Sequence, residues 1–305
     1  MSGEIIDIAD LDVIYLSYDE PRKEEFWVKI QNMIPWAKRV DGVDGSDAAH
    51  KAAAEASDTE RFVLIDGDNL PDPEFFNLQL TMTEENKDWV FRWKALNEIN
   101  GLRYGNGGLS CWTKKFVQEM RTHENTDGTN ETLVEFCFDP RYKAMHDCYS
   151  TTYPNGSAYH AWRAGFREGV KMCLDKGAKP TLQEFEKKVV SRNYDNLCIW
   201  QSVGTDVEFG EDAIYGARLG TYLTMLTEWD YSQVRDFRYL ETLYHEKGHP
   251  TSAELHEILT TRLALPIVSL NKDESKFFKH HYARAHQNLG TTVTEMDVIR
   301  KIEGW

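Results

Sequence analysis

Cysteine is scarce and follows no pattern. The five cysteines, at 111, 137, 148, 173 and 198, are odd in number, widely spaced and without a Cys-x-x-Cys. That argues against a disulfide frame or zinc site and for reduced thiols, most simply small buried hydrophobes, in a cytosol. Long apolar runs are missing too. No window approaches about 18 apolar residues, and residues 1–12 carry four acids, so we expect no signal peptide, no membrane span and a cytoplasmic location. Positive charge is in deficit: 35 Lys and Arg stand against 50 Asp and Glu, a net charge of −15. The averaged field repels polyanions and anionic membranes, so a nucleic acid has to be met through a local basic patch. What the chain has is bulk. Its 305 residues, 41% hydrophobic and 12% aromatic, suffice for one large domain or two ordinary ones, which would bury about 75% of the unfolded surface. Wholesale disorder is excluded.

Residues 13–18, Val-Ile-Tyr-Leu-Ser-Tyr, form an apolar run closed by Asp19-Glu-Pro21, as expected of a buried strand ending in a loop. Phe26, Ile30, Met33 and Ile34 recur at helical spacing over 22–34, and 37–40 read as a second strand before the turn Asp41-Gly-Val-Asp-Gly45. Asp47 is expected to cap an Ala-rich helix through Ser57, and 61–65 is a third strand. The order β-α-β-α-β predicts a doubly wound parallel sheet with right-handed crossovers, whose ligands bind at the carboxyl ends of the strands. The third strand runs straight into Asp66-Gly-Asp68-Asn69. Further on, 89–93 reads as a strand and Tyr104-Gly-Asn-Gly-Gly108 as a turn that lets a ligand approach the backbone. A helix follows from Thr113 to about Arg121, and 122–132 is polar and loop-like. An amphipathic helix over 158–174 sets Trp162, Phe166, Val170 and Leu174 on one face and Arg163, Arg167 and Lys171 along another. After about 230 the chain reads as mainly helical, with a capping box at Thr251-Ser-Ala-Glu254 and a helix from Ser275 to Asn288.

Two carboxylates one residue apart at a strand end can hold a hard divalent cation, Mg²⁺ or Mn²⁺, which takes oxygen ligands and keeps waters and substrate phosphates in its shell. Gly67 between them removes side-chain bulk. Three readings fit the pair. Asp, Gly and Asn are turn residues, so it can be a solvated turn. A phosphotransferase of the haloacid dehalogenase kind also carries Asp-x-Asp after an apolar strand, the first Asp as nucleophile. That motif continues to Thr or Val where this chain has Leu70, and it usually opens the fold.

The third reading is a sugar transferase, and it comes with a resemblance. Residues 48–56, then Phe62-Val-Leu-Ile-Asp66-Gly-Asp68-Asn-Leu-Pro71-Asp-Pro73, resemble the helix, strand and Asp-x-Asp stretch of family-two glycosyltransferases of the GT-A fold. Ile14-Tyr-Leu-Ser-Tyr-Asp-Glu-Pro21 is similar to their first strand and the turn that meets the uridine, and 107–116 to the Gly-Gly segment lining their acceptor side. Gly210-Glu211-Asp212-Ala-Ile-Tyr-Gly-Ala-Arg218-Leu219 looks like their Glu-Asp segment, in which a carboxylate serves as base. About ninety residues separate Phe116 from Gly210, more than is usual there, so Asp206 and Glu208 stand beside Asp212 for that role. The blocks Lys38-Arg39-Val-Asp-Gly42, Tyr104 to Leu109, Ala161 to Val170 and Ala213 to Arg218 resemble bacteriophage proteins that attach a sugar, arabinose in some, to hydroxymethylated cytosine in phage DNA.

The resemblance implies an α/β, GT-A architecture with a mostly parallel central sheet. Residues 1–230 would be the transferase domain, 1–115 its nucleotide-sugar half and 116–230 its acceptor half, and 231–305 a helical extension. It implies a UDP-sugar donor, a DNA acceptor, Mn²⁺ or Mg²⁺ on Asp66 and Asp68, no membrane partner, and the host cytoplasm as location. Ser17, Tyr18, Glu20, Arg39, Asp41, Asp66, Gly67, Asp68, Asn106, Gly107 and Gly108 would contact the donor. An inverting enzyme needs a carboxylate within about 3 Å of the acceptor hydroxyl; Asp212 is the candidate, with Glu211 and Asp206 as alternates. A retaining enzyme needs none, and the sugar, the stereochemistry and the oligomeric state stay open. A saccharide or free-nucleotide acceptor and a non-catalytic module are the competing functions.

Arg163, Arg167 and Lys171 repeat every four residues, so they can grip a diphosphate or an acceptor backbone, or form a solvated face with Glu168 pairing locally. His160 can serve as metal ligand, phosphate donor or structural residue, and Arg218 as a phosphate or acceptor contact. Lys272, Lys276, Lys279, Arg284 and three histidines are interleaved with Phe277, Phe278 and Tyr282, which suits a phosphate backbone and an extruded base or simply a helix with Phe277 and Tyr282 in its core. His245-Glu-Lys-Gly-His249 is no zinc motif, because Gly248-His-Pro250 breaks the helix it would need.

Overall fold

The computed structural model describes residues 3–105, 108–120, 122, 137, 139–175, 177–189, 191–281 and 299–301. They fall into two units, one drawn from 1–96, 103–152 and 286–305, the other from 97–102 and 153–285.

In the first unit the expected apolar runs at 13–18 and 61–65 become inner strands, and the strand expected at 37–40 lies at the edge of the sheet. Its elements are β1 (Glu4–Asp7), β2 (Asp12–Ser17), α1 (Lys23–Met33), β3 (Lys38–Asp41), α2 (Ser46–Ala56), β4 (Arg61–Asp66), β5 (Asn69–Pro71), β6 (Leu78–Met82), β7 (Val90–Asn97), β8 (Arg103–Tyr104), β9 (Leu109–Thr113), α3 (Lys114–Glu119), β10 (Tyr142–Thr152) and β11 (Ile299–Lys301). One sheet runs β3-β2-β4-β9-β7-β10-β5, with β8 on β7, and a small one runs β1-β6-β11. Residues 61–65 of β4 are buried throughout, as a strand covered on both faces requires. Ile14, Phe62, Leu64 and Trp112 pack with Ala53 and Ala54 of α2 and Phe116 and Val117 of α3 in one core.

The mostly parallel sheet is corrected. β2 pairs parallel with β3 and β4, but β9 is antiparallel to β4 and to β7, and β5 to β10. A parallel return needs a long crossover, usually a helix. The described chain between β4 and β9 has strands and turns but no α-helix. The sheet is therefore mixed, and the class α/β stands. Asp47 is no cap either: Gly45 holds the N-cap position of α2 at φ 91°, and Asp47 sits in the first turn, paired with Lys51 at 2.6 Å. Thr113 caps α3 by accepting from the Phe116 amide at 3.1 Å.

The second unit holds α4 (Ala158–Lys171), α5 (Phe185–Lys188), α6 (Ser191–Trp200), α7 (Gly210–Leu226), α8 (Phe237–His245), α9 (Ser252–Arg262) and α10 (Lys272–His281). Gly165 and Gly169 of α4 lie on the carbonyls of Ala213 and Ala217, and Gly216 and Gly220 of α7 lie on those of Trp162 and Phe166. A side chain at any of the four would hit the partner's backbone, so the two helices approach at backbone distance. Trp162, Phe166, Leu219, Leu223, Leu240, Leu243 and Leu255 share one core. The boundary expected at 230 thus falls inside this unit, since α8 and α9 complete the core that α4 and α7 begin. Thr251 and Glu254 form the expected capping box. α10 starts three residues before Ser275; its expected end at Asn288 and the 123–132 part of the polar loop lie outside the described residues. No helix among the described residues is long and apolar enough to cross a membrane.

Candidate functional site

Parallel pairing of β2 with β3 and β4 aligns Ser17 with Asp41 and Leu16 with Asp66, so the carboxyl ends of three strands deliver polar residues to one edge. β4 stays buried through Ile65, then Asp66 emerges. Its amide donates to the Gly108 carbonyl at 2.8 Å. Gly108 has φ +69°, and a Cβ there would sit 2.7 Å from Asp66 Oδ2, so only glycine leaves room for this carboxylate. The Glu20 carboxylate occupies the space a side chain on Gly67 would need. From below, the buried Tyr15 hydroxyl lies 2.7 Å from the Gly67 carbonyl and 3.1 Å from that of Lys23, while its ring stacks on Trp27 with centroids 5.8 Å apart. Tyr15 thus pins the loop between the two aspartates.

The site is electrostatically loaded. Desolvation, then the charges of Asp68 and Glu20, push the Asp66 carboxyl up to about 7. Asp66 still shows surface to solvent. Desolvation also raises Glu20, with Asp68 and Asp19 adding to it, against the lowering effect of the Tyr18 amide, which donates to Glu20 Oε2 at 2.7 Å. Three carboxylates that disfavour each other's charge are what a divalent cation relieves. Among the described residues no three His, Cys, Asp or Glu side chains form a metal-holding set on their own. One or two carboxylates, with phosphates and waters completing the shell, is the usual arrangement for Mg²⁺, and Asp66 and Asp68 fit that donor set.

Around this mouth the other expected donor residues are held by their own bonds. Asp41 accepts from Ser17 Oγ at 2.7 Å and Lys23 Nζ at 2.8 Å. Burial raises its carboxyl, but these bonds and the Arg39 charge carry it below the usual range. Arg39 makes a two-pronged contact to Glu24 at 2.8 and 2.7 Å and donates to Ser17 at 3.1 Å. Tyr18 is exposed at the rim. Asn106 and Gly107 lie outside the described residues.

Set against known proteins, the chain matches no family model, no curated protein and no solved structure. The site is therefore read from its own chemistry.

The remaining candidates belong to the second unit. Glu211 and Asp212 occupy the first turn of α7, entered through Phe209 at φ 58°, a conformation costly for a non-glycine residue. Burial, then the Glu211 charge, raise Asp212, against a bond from its own backbone amide. Asp206 is ion-paired with Lys279 at 2.6 Å. His160 Nδ1 lies 2.7 Å from Ser157 Oγ, the cap of α4. Arg163 stacks over Tyr159 and Phe237, Arg167 over Phe237, and Lys171 pairs with Glu168 at 2.7 Å. Arg218 is buried and donates to the Gln201 carbonyl and to Ser252; desolvation lowers its guanidinium to about 10. In this place it fastens α7 to the start of α9.

Sequence reasoning missed Tyr15 as the loop's anchor and Asn69, whose fully buried amide atoms have no partner among the described residues. Asn69 directly after the Asp-x-Asp is the one available signal. Tyr15 carries none, because its role depends on the β2–β4 register.

Proposed function

We propose that the acidic edge of the first unit binds the diphosphate of a sugar nucleotide together with a divalent cation, and that the protein is a glycosyltransferase of the GT-A kind. The donor is a UDP-sugar, and the acceptor is hydroxymethylated cytosine in DNA. The observation that carries this is the convergence of Glu20, Asp66 and Asp68 at the end of β4, over two glycines whose missing side chains make the room. Asp66 and Asp68 would hold Mn²⁺ or Mg²⁺, which when bound supplies Lewis-acid stabilisation for the charge on the departing diphosphate. Tyr15 holds the Gly67 carbonyl, and with it the spacing of the two aspartates. Glu20 packs on Gly67 and keeps the Ser17–Glu20 turn against the loop. Asp212, in the second unit, is the base that the resemblance implies. A carboxyl raised by burial is a better proton acceptor than an ordinary one, and Glu211 and Asp206 are its alternates. The charge of −15 favours a second reading, a saccharide or free nucleotide as acceptor.

Mass spectrometry of DNA from cells that contain hydroxymethylcytosine and make this protein tests the reading. The modified base should gain the mass of a pentose or hexose, and Asp68→Ala, with an unchanged thermal melt, should remove it. Unmodified DNA overturns the DNA acceptor; modification at the wild-type level in the Ala variant overturns the role of Asp68.

A further inference from the structure

Most arginines of the first unit are already engaged. Arg22 pairs with Glu25, Arg39 with Glu24, and Arg141 with Glu119 and Asp139, while Arg61 donates to the carbonyls of Trp89 and Lys87. Arg92 of β7 and Arg103 of β8 have no carboxylate or carbonyl partner among the described residues. Both are half-buried. Arg92 is propped over the Tyr142 ring, 5.5 Å from its centroid, and its Nε is closed off from solvent with nothing to bond. A guanidinium is always charged and carries five N–H donors, so a half-buried one without a partner bears a cost that an oxyanion removes.

The strand register puts both on one face. On β7, Arg92, Lys94 and Leu96 alternate with buried neighbours. Arg92 stands opposite Ser110, Arg103 opposite Leu96, and Ser110 opposite Leu64, and side chains opposed in antiparallel strands share a face. Asp66, two residues beyond Leu64, takes that face as well; a Cβ on Gly108 would run into its carboxylate. β9 alone separates β4 from β7, about 10 Å at roughly 4.8 Å per step. The guanidiniums flank the acidic edge without cancelling it: burial and two acids raise Asp66, and no cation pulls it back. Along β7 the two rungs are four residues apart, about 13 Å at roughly 3.3 Å per residue, too wide for one diphosphate and suited to successive phosphates of a strand.

We propose that Arg92 and Arg103, on the face of the sheet that carries Asp66, receive phosphodiesters of a nucleic-acid strand. The inference rests on the DNA-acceptor reading for the identity of that strand, and it gives an acidic chain the local cations such a partner requires.

Fluorescence anisotropy with a labelled single-stranded DNA 12-mer, across a salt series, tests it on the full chain. Wild type should bind at low salt. The R92Q/R103Q variant should lose about tenfold or more, with a plot of log affinity against log salt shallower by about 1.4, at about 0.7 per phosphate contact. The single variants R92Q and R103Q should each show about half that change in slope and decide the matter if the double variant does not fold. R92K/R103K, which keeps the charges, should keep the wild-type slope. Unchanged affinity and slope in the Gln variants, or no binding by wild type at the lowest salt, overturns the proposal. UDP binding by calorimetry should be unaffected in Gln variants whose thermal melt is unchanged. Loss of UDP binding there assigns the pair to the donor and overturns the proposal. Wild type that takes DNA but no UDP overturns the transferase reading and leaves this face standing.

Discussion

Asp66 is the residue on which the acidic edge turns, and its protonation has a stability signature. An unfolded aspartate titrates near 3.9, whereas in the fold burial and the charges of Asp68 and Glu20 push Asp66 up to about 7. Between these values the folded chain holds the proton that the unfolded chain has released. Stability therefore falls as pH rises through this window, and the penalty is complete above about 7. Asp66→Asn removes the titration. Thermal melts of the metal-free protein should show wild type losing ground to the variant from pH 4.5 to 7.5; a difference in Tm that is constant with pH contradicts this. Asp66 and Asp68 were legible because an acidic pair after an apolar run is a pattern along the chain. The third carboxylate was legible only as a donor contact. That Glu20 sits on Gly67 follows from the turn after β2 folding back over a neighbouring strand, which one-dimensional spacing does not encode.

At the scale of elements, the α4–α7 pair sets the second unit. Glycines four apart on each helix, 165 and 169 against 216 and 220, meet the other helix's backbone. Gly169→Ala should destabilise by about 1–3 kcal/mol through overpacking, outweighing the roughly 1 kcal/mol that helix propensity alone would return. Urea unfolding checks the sign; a variant more stable than wild type contradicts the close approach. The sequence carried the glycine spacing on both helices, but a stripe on one helix does not name its partner. The same limit explains the sheet. β2 and β4 were readable as apolar runs, and β3 as a short strand between a helical segment and a Gly-rich turn. β10 was not, since its buried positions follow no two-residue alternation and its residues are mostly half-buried. β6 alternates buried and half-buried positions and was open to detection. Without β10 and β5, the last two strands of the larger sheet, the strand read at 89–93 had no visible neighbour on that side, and the parallel half was extrapolated across it.

Over the whole molecule, charge is not spread evenly. A chain of net −15 gathers Glu20, Asp66 and Asp68 at the end of β4, where the local field adds to the average one and suits a cation. The acidic edge is the central claim. If the proposed function holds, cation and nucleotide strengthen each other's binding there, by a coupling that is reciprocal and about 5–150-fold for typical linked sites. Titration calorimetry of UDP into wild type and Asp68→Asn, with and without Mn²⁺, measures that coupling directly. Mn²⁺ should tighten UDP binding within this range in wild type and leave it unchanged in the variant. Equal UDP affinity with and without Mn²⁺ in wild type, or full coupling in Asp68→Asn, would show that these aspartates are not the site.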